Sequence, residues 1–237
     1  MNPLIELAEK SIHTQDGSAT FFAQESFPWA RQVEAFFPLI RKELDAVLSA
    51  IHMLPGFEDI QKEQRDLTSD RRWKIFPLYA YGRWAGRNQS RCPNTAHALS
   101  LIPGLKVAMF SIFEPGKELA PHRGPYCGVL RYHLGLKVPQ PETQCGIRVG
   151  ADTAHWREGA SMIFDDSHEH QAWNHSKEAR VVLFADFVRP LPPSLQKMNL
   201  GIIDAFGKST FMEDAARNWN HWEAAHGDQF DRILAAQ

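Results

Sequence analysis

The sequence predicts a mainly β fold with flanking helices, and three observations point to it. A middle zone, residues 73–190, contains short apolar runs separated by Gly and Pro turns. One of these runs alternates between apolar and polar side chains, as a half-buried strand does. The zones on either side repeat apolar residues at helical spacing. Many short strands with such turns are typical of an antiparallel sandwich or barrel.

The N-terminal zone, residues 1–72, is expected to be helical. Apolar residues recur at helical spacing at Ile40, Leu44, Val47, Leu48 and Ile51. Pro38 suits the first turn of this helix, where a missing N–H costs little. The pair Pro55-Gly56 ends the periodic run, so the helix is expected to end before it.

The middle zone is expected to contribute the strands of the core. The strand-like runs are Leu105–Phe113, Val129–Val138, Ser161–Phe164 and Ala179–Val188. In the second run, Arg131, His133 and Lys137 fall on one side of the strand, and the apolar residues fall on the other.

The last zone, residues 191–237, begins with Leu191-Pro192-Pro193 and then becomes amphipathic. We expect two helices, Phe211–Ala224 and Phe230–Ala236, packed on the outside of the β-core. The length of 237 residues suits a single domain, 1–237, with helical additions.

Composition excludes several classes of protein. The formal net charge is −2, which gives no electrostatic reason to expect nucleic acid as a partner. No apolar run approaches the roughly 18 residues of a transmembrane segment, and Met1–Glu9 lacks the pattern of a signal peptide. The three cysteines, Cys92, Cys127 and Cys145, are widely spaced and odd in number. They predict unpaired thiols in a reducing, cytoplasmic location.

Two histidine segments carry the most specific signal. They are His122-Arg123-Gly124-Pro125 and His168-Glu169-His170. Imidazole is a suitable ligand for iron, copper, nickel or zinc. The spacing alone leaves open whether His168 or His170 is the ligand. Asp165 and Asp166 lie near them, and either a third ligand or a turn that binds local backbone N–H groups would explain them.

Two arginines on strand-like segments suggest an anionic ligand. Buried charge needs a partner, and the guanidinium of Arg180 is suited to bidentate capture of a carboxylate. Arg131 and His133 would point into the lumen of a barrel, or they would lie on the solvent face of an edge strand. The simplest single explanation is a metal site beside a pocket for an organic acid.

Taken in order, these motifs resemble the aspartyl/asparaginyl β-hydroxylase family. The residues that carry the resemblance are His122-x-Gly124-Pro125, Leu130-Arg131-Tyr132-His133-Leu134-Gly135-Leu136, Phe164-Asp165-Asp166-Ser167-x-Glu169-His170 and Arg180. The resemblance covers roughly residues 73–190. It implies a double-stranded β-helix core (a cupin-like jelly roll) and an oxygenase that depends on Fe(II) and 2-oxoglutarate.

The resemblance also implies roles for individual residues. His122 and His170 match the two iron ligands, so His168 is not expected to be one. Arg180 and Ser111 would hold the distal carboxylate of 2-oxoglutarate. Three further residues match positions that line the 2-oxoglutarate and substrate pocket: Arg131, His133 and Trp73. No catalytic side chain is expected beyond the metal site.

Two positions bear on the branch of the family. Gly124 stands where many related oxygenases carry a carboxylate that completes a facial triad, and the β-hydroxylase branch shares this two-histidine arrangement. Val129 stands where the animal β-hydroxylases carry a second basic residue, two places before Arg131. This difference weakens the case for an aspartyl side chain as the substrate.

The resemblance therefore implies a dioxygenase that hydroxylates an unactivated C–H bond. It favours the β-carbon of an aspartyl or asparaginyl residue, or a related amino-acid or peptide substrate, with dioxygen as co-substrate. Three alternatives remain: an oxygenase similar to lipid A acyl-chain hydroxylases, a jelly-roll hydrolase or isomerase that uses zinc or manganese, and a non-catalytic jelly-roll module that binds an organic acid.

Overall fold

The computed structural model describes residues 3–16 and 18–236. The α-helices, α1 to α8, are Pro3–Asp16, Trp29–Ala35, Phe37–Ser49, Phe57–Ile60, Asn88–Arg91, Pro93–Ser100, Pro193–Gly207 and Thr210–Ala235. The strands, β1 to β11, are Phe21–Phe22, Trp73–Ala80, Arg83–Trp84, Leu105–Phe113, Glu118–His122, Val129–Lys137, Cys145–Val149, Asp152–His155, Ser161–Phe164, His170–Asn174 and Arg180–Val188.

The strands form two antiparallel sheets that face each other. The larger sheet has seven strands in the order β1-β9-β6-β11-β4-β2-β3, and the smaller has four in the order β5-β10-β7-β8. One buried apolar cluster joins the two sheets, with Phe164 and Phe184 from the larger and Leu119 and Ile147 from the smaller. This arrangement is a double-stranded β-helix, as the sequence predicts.

Strand β6 is an interior strand, because it pairs with β9 on one side and β11 on the other. Its apolar side is buried at Leu130, Tyr132, Leu134 and Leu136. On its other side, His133 is only 6% exposed. The solvent-face alternative for this strand is therefore wrong.

The flanking helices pack on the same core. In α3, Ile40, Leu44 and Val47 are fully buried, and Pro38 occupies the first turn as predicted. A smaller apolar cluster joins α1 to α7 through Ala8, Ile12 and Ile203. Each cysteine is buried and unpaired, which confirms that prediction.

Three details differ from the expected organisation. The N-terminal zone is not only helical, since Phe21 and Phe22 of β1 pair with Phe164 and Ile163 of β9. The C-terminal zone contains a helix that the sequence reasoning missed, α7. In addition, the two helices predicted after residue 210 form one continuous helix, α8.

The continuity of α8 has a tertiary cause. Glu223, Gly227 and Asp231 lie on successive turns of one face, and Arg91 binds both carboxylates, Nη1 to Glu223 at 2.8 Å and Nε to Asp231 at 2.6 Å. A Cβ at position 227 would overlap with the guanidinium of Arg87. Glycine therefore permits this close approach, and the ion pairs on both sides of it offset its low helix propensity.

Within the described residues, no helix combines the length and apolar composition needed to cross a bilayer. The first two residues of the segment Met1–Glu9 lie outside the described range.

Candidate active site

His122 and His170 meet across the smaller sheet. They are directly opposite each other in the pairing of β5 with β10, and their ring centres lie 4.1 Å apart. Each Nδ1 hydrogen-bonds a backbone carbonyl oxygen, that of Ala120 at 2.8 Å and that of His168 at 3.0 Å. A Nδ1–H bond of this kind leaves Nε2 as the ligand atom and orients the ring. Two metal–nitrogen bonds of about 2.1 Å can bridge such a pair.

Burial keeps both imidazoles neutral, which is the form that binds metal. Burial, followed by the charges of His122 and Arg131, lowers the pKa of His170 to about 3. Burial likewise lowers the pKa of His122 below 6.5. A cation at this position would not have to compete with protons near neutral pH.

Arg180 is a buried cation that has no carboxylate partner among the described residues. The residue is 1% exposed, and no carboxylate of the described residues lies within ion-pair distance of it. Its guanidinium stacks on Phe113 and Trp156, with centroid distances of 3.9 and 4.5 Å, and Nη1 donates to the backbone oxygen of Ser111 at 3.3 Å. Burial lowers the pKa of Arg180 to about 9. An uncompensated cation of this kind is suited to an anionic ligand.

His133 presents a second unused donor to the lumen. The indole N–H of Trp156 donates to its Nδ1 at 3.2 Å, so the neutral ring must carry its proton on Nε2. That Nε2 is buried and has no hydrogen-bond partner. Burial, with the charges of Arg180, Arg131 and His170, lowers the pKa of His133 well below 6.5. Trp156, which contacts both His133 and Arg180, was not singled out from the sequence.

Trp73 and Ser111 are coupled. The indole N–H of Trp73 donates to Oγ of Ser111 at 3.0 Å in a fully buried contact. The hydroxyl hydrogen of Ser111 is then free to donate elsewhere. Trp73 packs between Phe57 and Phe113, so in this structure it orients the serine.

Arg131, which the resemblance places in the 2-oxoglutarate and substrate pocket, is paired with two carboxylates of the protein itself. It donates to both carboxylate oxygens of Asp186, from Nε at 2.8 Å and from Nη2 at 3.0 Å. Nη2 also pairs with Asp166 Oδ2 at 2.8 Å. Burial lowers the pKa of Arg131, but Asp166 and Asp186 outweigh it and the net pKa is raised.

Asp166 occupies the space beside Gly124. The backbone N–H of Gly124 donates to the backbone oxygen of Asp166 at 2.7 Å, and a Cβ at position 124 would lie within 3.0 Å of all three carboxyl atoms of Asp166. Oδ1 of Asp166 is buried and has no hydrogen-bond partner. Burial raises the pKa of Asp166 to about 7, although Arg131 opposes this shift. The sequence reasoning weighed this residue only as a possible ligand or turn residue.

A second group of potential metal ligands lies next to this site. His13, Asp165 and His168 each offer one ligand atom, and these atoms lie within 4.8 Å of one another. The sequence predicts only that His168 is not an iron ligand.

A groove of about 580 Å³ lies along β5 and β10 of the smaller sheet. It is lined by residues 65–70 and by residues of these two strands, including Pro121 and Gln171, the chain neighbours of the paired histidines. None of the seven residues predicted for the site lines it.

Comparison with known proteins identifies the family. A sequence model of the family described as Aspartyl/Asparaginyl beta-hydroxylase matches residues 34–190, more than half of the chain. The chain belongs to this hydroxylase family. The resemblance carried by the histidine and arginine motifs is thereby confirmed.

Curated relatives support the assignment. The chain is 45% identical over 207 residues to the ornithine lipid ester-linked acyl 2-hydroxylase of Rhizobium tropici, which covers 87% of this chain and 74% of that protein. It is 33% identical over 183 residues to the human aspartyl/asparaginyl beta-hydroxylase, covering 73% of this chain and 23% of that protein. The chain therefore spans about a quarter of the human relative.

Solved structures offer a distant likeness. The Schizosaccharomyces pombe Cnp3 cupin domain is 13% identical and has a TM-score of 0.37, covering 57% of this chain and 74% of that chain. The cupin domain of an XRE family transcriptional regulator from Enterobacter cloacae is 10% identical with a TM-score of 0.35, covering 50% of this chain and 99% of that chain. Likeness at this level carries no conclusion about function.

Proposed function

We propose that this chain is an Fe(II)- and 2-oxoglutarate-dependent hydroxylase that acts on a lipid acyl chain. The observation that carries the cofactor assignment is the pairing of two neutral imidazoles beside a buried, uncompensated arginine. The substrate class rests on the 45% identity to an acyl 2-hydroxylase and on the charge pairing of the lumen.

His122 and His170 would hold the iron. Their Nδ1–H groups are committed to backbone carbonyls, so both rings are fixed with Nε2 available. Bound iron and 2-oxoglutarate would supply the oxidising chemistry, in which dioxygen and 2-oxoglutarate yield succinate, carbon dioxide and one oxygen atom inserted into a C–H bond.

Three donors would hold 2-oxoglutarate. Arg180 supplies the charge that a distal carboxylate needs, and Ser111 has a hydroxyl hydrogen that Trp73 leaves free. His133 adds an Nε2–H that has no partner among the described residues. Because each donor is already oriented by a neighbour, little side-chain entropy is lost on binding.

Asp166 would take the place of the missing facial-triad acid without binding the metal directly. Its carboxylate fills the space that Gly124 leaves next to His122, and its Oδ1 is free to accept a hydrogen bond. A water molecule on the iron is the group that this oxygen would orient. Arg131 would act through Asp166 as a positioning residue.

The charge pairing of the lumen favours a neutral reacting group. Arg131 is paired with two carboxylates, Arg180 is assigned to the co-substrate, and Val129 provides no charge. An aspartyl side chain would bring a carboxylate that neither of these two arginines is left to pair with, whereas an acyl chain brings none. An aspartyl or asparaginyl peptide remains the second candidate because of the 33% identity to the human β-hydroxylase.

The test is a product assay with both substrate classes. Purified protein, Fe(II) and 2-oxoglutarate are incubated under air with ornithine lipid or with a peptide that contains aspartate and asparagine. Mass spectrometry then looks for the gain of one oxygen, and succinate is measured in parallel. We expect hydroxylated lipid and stoichiometric succinate with the wild type, and neither with His170→Ala.

Other results would change the assignment. Hydroxylated peptide without hydroxylated lipid would favour the second candidate. Succinate release that is equal in wild type and His170→Ala would reject His170 as a ligand. Tight binding of 2-oxoglutarate without metal and without turnover would indicate a non-catalytic acid-binding module.

A further inference from the structure

We propose that His13, Asp165 and His168 form a second divalent-cation site, which fastens helix α1 to the loop that leads into His170. The site lies outside the lumen and uses none of the residues assigned to iron or 2-oxoglutarate. It therefore goes beyond the proposed reaction.

The ligand atoms are already close to metal-binding spacing. Nε2 of His13 lies 3.3 Å from Oδ2 of Asp165, and Nε2 of His168 lies 4.0 Å from the same oxygen. Bonds of about 2.0–2.1 Å in a tetrahedral zinc site separate ligand atoms by about 3.3 Å. The His13–Asp165 pair has this separation, and the His168–Asp165 pair would reach it with a side-chain movement of less than about 1 Å. The three ligand atoms all lie within 4.8 Å of one another.

An unpartnered atom points to the same conclusion. Nε2 of His168 is buried and has no hydrogen-bond partner, although buried polar atoms nearly always have one. The two imidazole rings stack with centroids 5.4 Å apart and an interplanar angle of 27°. A cation between them would use the lone pair that the surrounding protein leaves unused.

The carboxylate of Asp165 is fixed in position for binding a cation. It is fully buried, its Oδ1 accepts from the backbone N–H of Ser167 at 2.9 Å, and its Oδ2 accepts from Arg189 at 2.5 Å. These bonds fix the carboxylate, as outer-shell partners do in metal sites. The charge of Arg189 also opposes a nearby cation, so moderate affinity is expected.

The chemistry of the set selects the ion. Two imidazoles and one carboxylate suit zinc and its neighbours Co²⁺ and Ni²⁺, whereas calcium and magnesium prefer oxygen ligands. The side chains of His13 and His168 are 27% and 22% exposed. An ion can therefore enter from solvent.

The consequence is a link between α1 and both histidine segments of the active site. Glu9 on α1 accepts a hydrogen bond from the backbone N–H of Cys127 at 3.3 Å, shortly after His122 in the chain. His13 on the same helix contacts the loop that precedes His170. A cation would add coordinate bonds to this second contact and hold α1 in place.

The experiment counts bound zinc. Chelator-treated wild type and variants are dialysed against Zn²⁺, and bound metal is measured by elemental analysis. We expect two ions per chain in the wild type and one in His13→Ala and His168→Ala. One ion should also remain in the double variant His122→Ala/His170→Ala. Since losing an outer-shell partner alone costs about 10- to 100-fold in affinity, losing a ligand should weaken this site at least tenfold.

Controls separate the two sites. His52→Ala removes an exposed histidine outside both sites and should bind two ions. In His122→Ala/His170→Ala, zinc should still raise the thermal unfolding temperature, and adding His13→Ala should abolish this shift.

Three outcomes would contradict these expectations. If the wild type binds only one ion and the double variant His122→Ala/His170→Ala binds none, the inference is overturned. Two ions of unchanged affinity in His13→Ala or His168→Ala would overturn it as well. A wild type that binds one ion, kept in the double variant, would instead contradict the proposed iron site.

Discussion

The two ends of the lumen differ in whether their arginine is paired with a carboxylate. At the histidine end, which comprises His122, His170, Asp166 and Arg131, the arginine is paired with two carboxylates. At the arginine end, which comprises Arg180, His133 and Ser111, the guanidinium meets aromatic faces and a backbone oxygen but no carboxylate of the described residues. Both arginines lie on strands of the same sheet, so the difference in charge compensation comes from the groups that each one contacts.

The contrast teaches how to interpret a buried arginine. A compensated arginine such as Arg131 belongs to the folded framework, and removing it leaves unpaired acids. An uncompensated arginine such as Arg180 lowers the stability of the empty protein and is retained for a ligand. The following four predictions test this difference.

The largest expected effect is on stability at the histidine end. Arg131→Met would leave Asp166 and Asp186 buried without their cation, and we expect a loss of about 3–5 kcal/mol in the free energy of unfolding. Arg180→Met, the matched variant, should show no loss in the absence of 2-oxoglutarate. Urea unfolding of both variants checks this, and equal losses would contradict the contrast.

The next effect is on co-substrate binding at the arginine end. Arg180→Met should weaken 2-oxoglutarate binding by about 1.5–3 kcal/mol, the contribution of a charge-assisted hydrogen-bonded contact. This is about 10- to 150-fold in Kd, measured by calorimetry with Mn²⁺ in place of iron. His52→Ala serves as the control, and an unchanged Kd in Arg180→Met would reject the pocket.

A smaller effect is expected at Gly124. Gly124→Ala would place a Cβ against the carboxylate of Asp166, and such overpacking costs about 1–3 kcal/mol of stability. Turnover should fall as well, because Asp166 must move. Gly201→Ala is the control, since a Cβ there meets nothing within 4 Å, and it should be neutral or stabilising. Full activity in Gly124→Ala would show that Asp166 has no positioning role.

The smallest expected effect concerns pH. Burial raises the pKa of Asp166 from 3.8 to about 7, so between about pH 4 and 7 the folded state holds a proton that the unfolded state has released. The contribution of this group is therefore present below pH 4 and lost as the pH rises through 7.

Asp166→Asn should remove that dependence. In metal-free protein, the stability of wild type relative to this variant should fall by on the order of 1 kcal/mol between pH 6 and pH 7. Urea unfolding at both values measures it. A constant difference between the two proteins would mean that the carboxyl of Asp166 titrates normally.

Local patterns predicted much of the fold. The strands Leu105–Phe113 and Ser161–Phe164 have the predicted bounds, because turn residues flank their apolar runs. The helix that contains Ile40 and Leu44 was also visible from spacing. Helix α8 was divided in error at its polar stretch, because the ion pairs that hold Gly227 in a continuous helix come from Arg87 and Arg91, far away in the chain.

The site was predictable only in part. Ordered motifs predicted that His122 and His170 would converge, and the structure brings them together. Their metal-binding role stays a prediction, as do the roles of the other five residues and the division of the chain into zones. Trp156 was missed and Asp166 was weighed only as a possible ligand or turn residue, because the importance of both depends on which side chains they meet across the fold.

By itself, the sequence determined the fold class, four of the core strands and the paired histidines, since periodicity and motif order are local properties of the chain. Only the tertiary structure decided that Arg131 is compensated and Arg180 is not, and that Asp166 fills the space beside Gly124. It alone placed His13 against Asp165. Charge compensation depends on contacts between residues that are distant in sequence, and no local pattern records them.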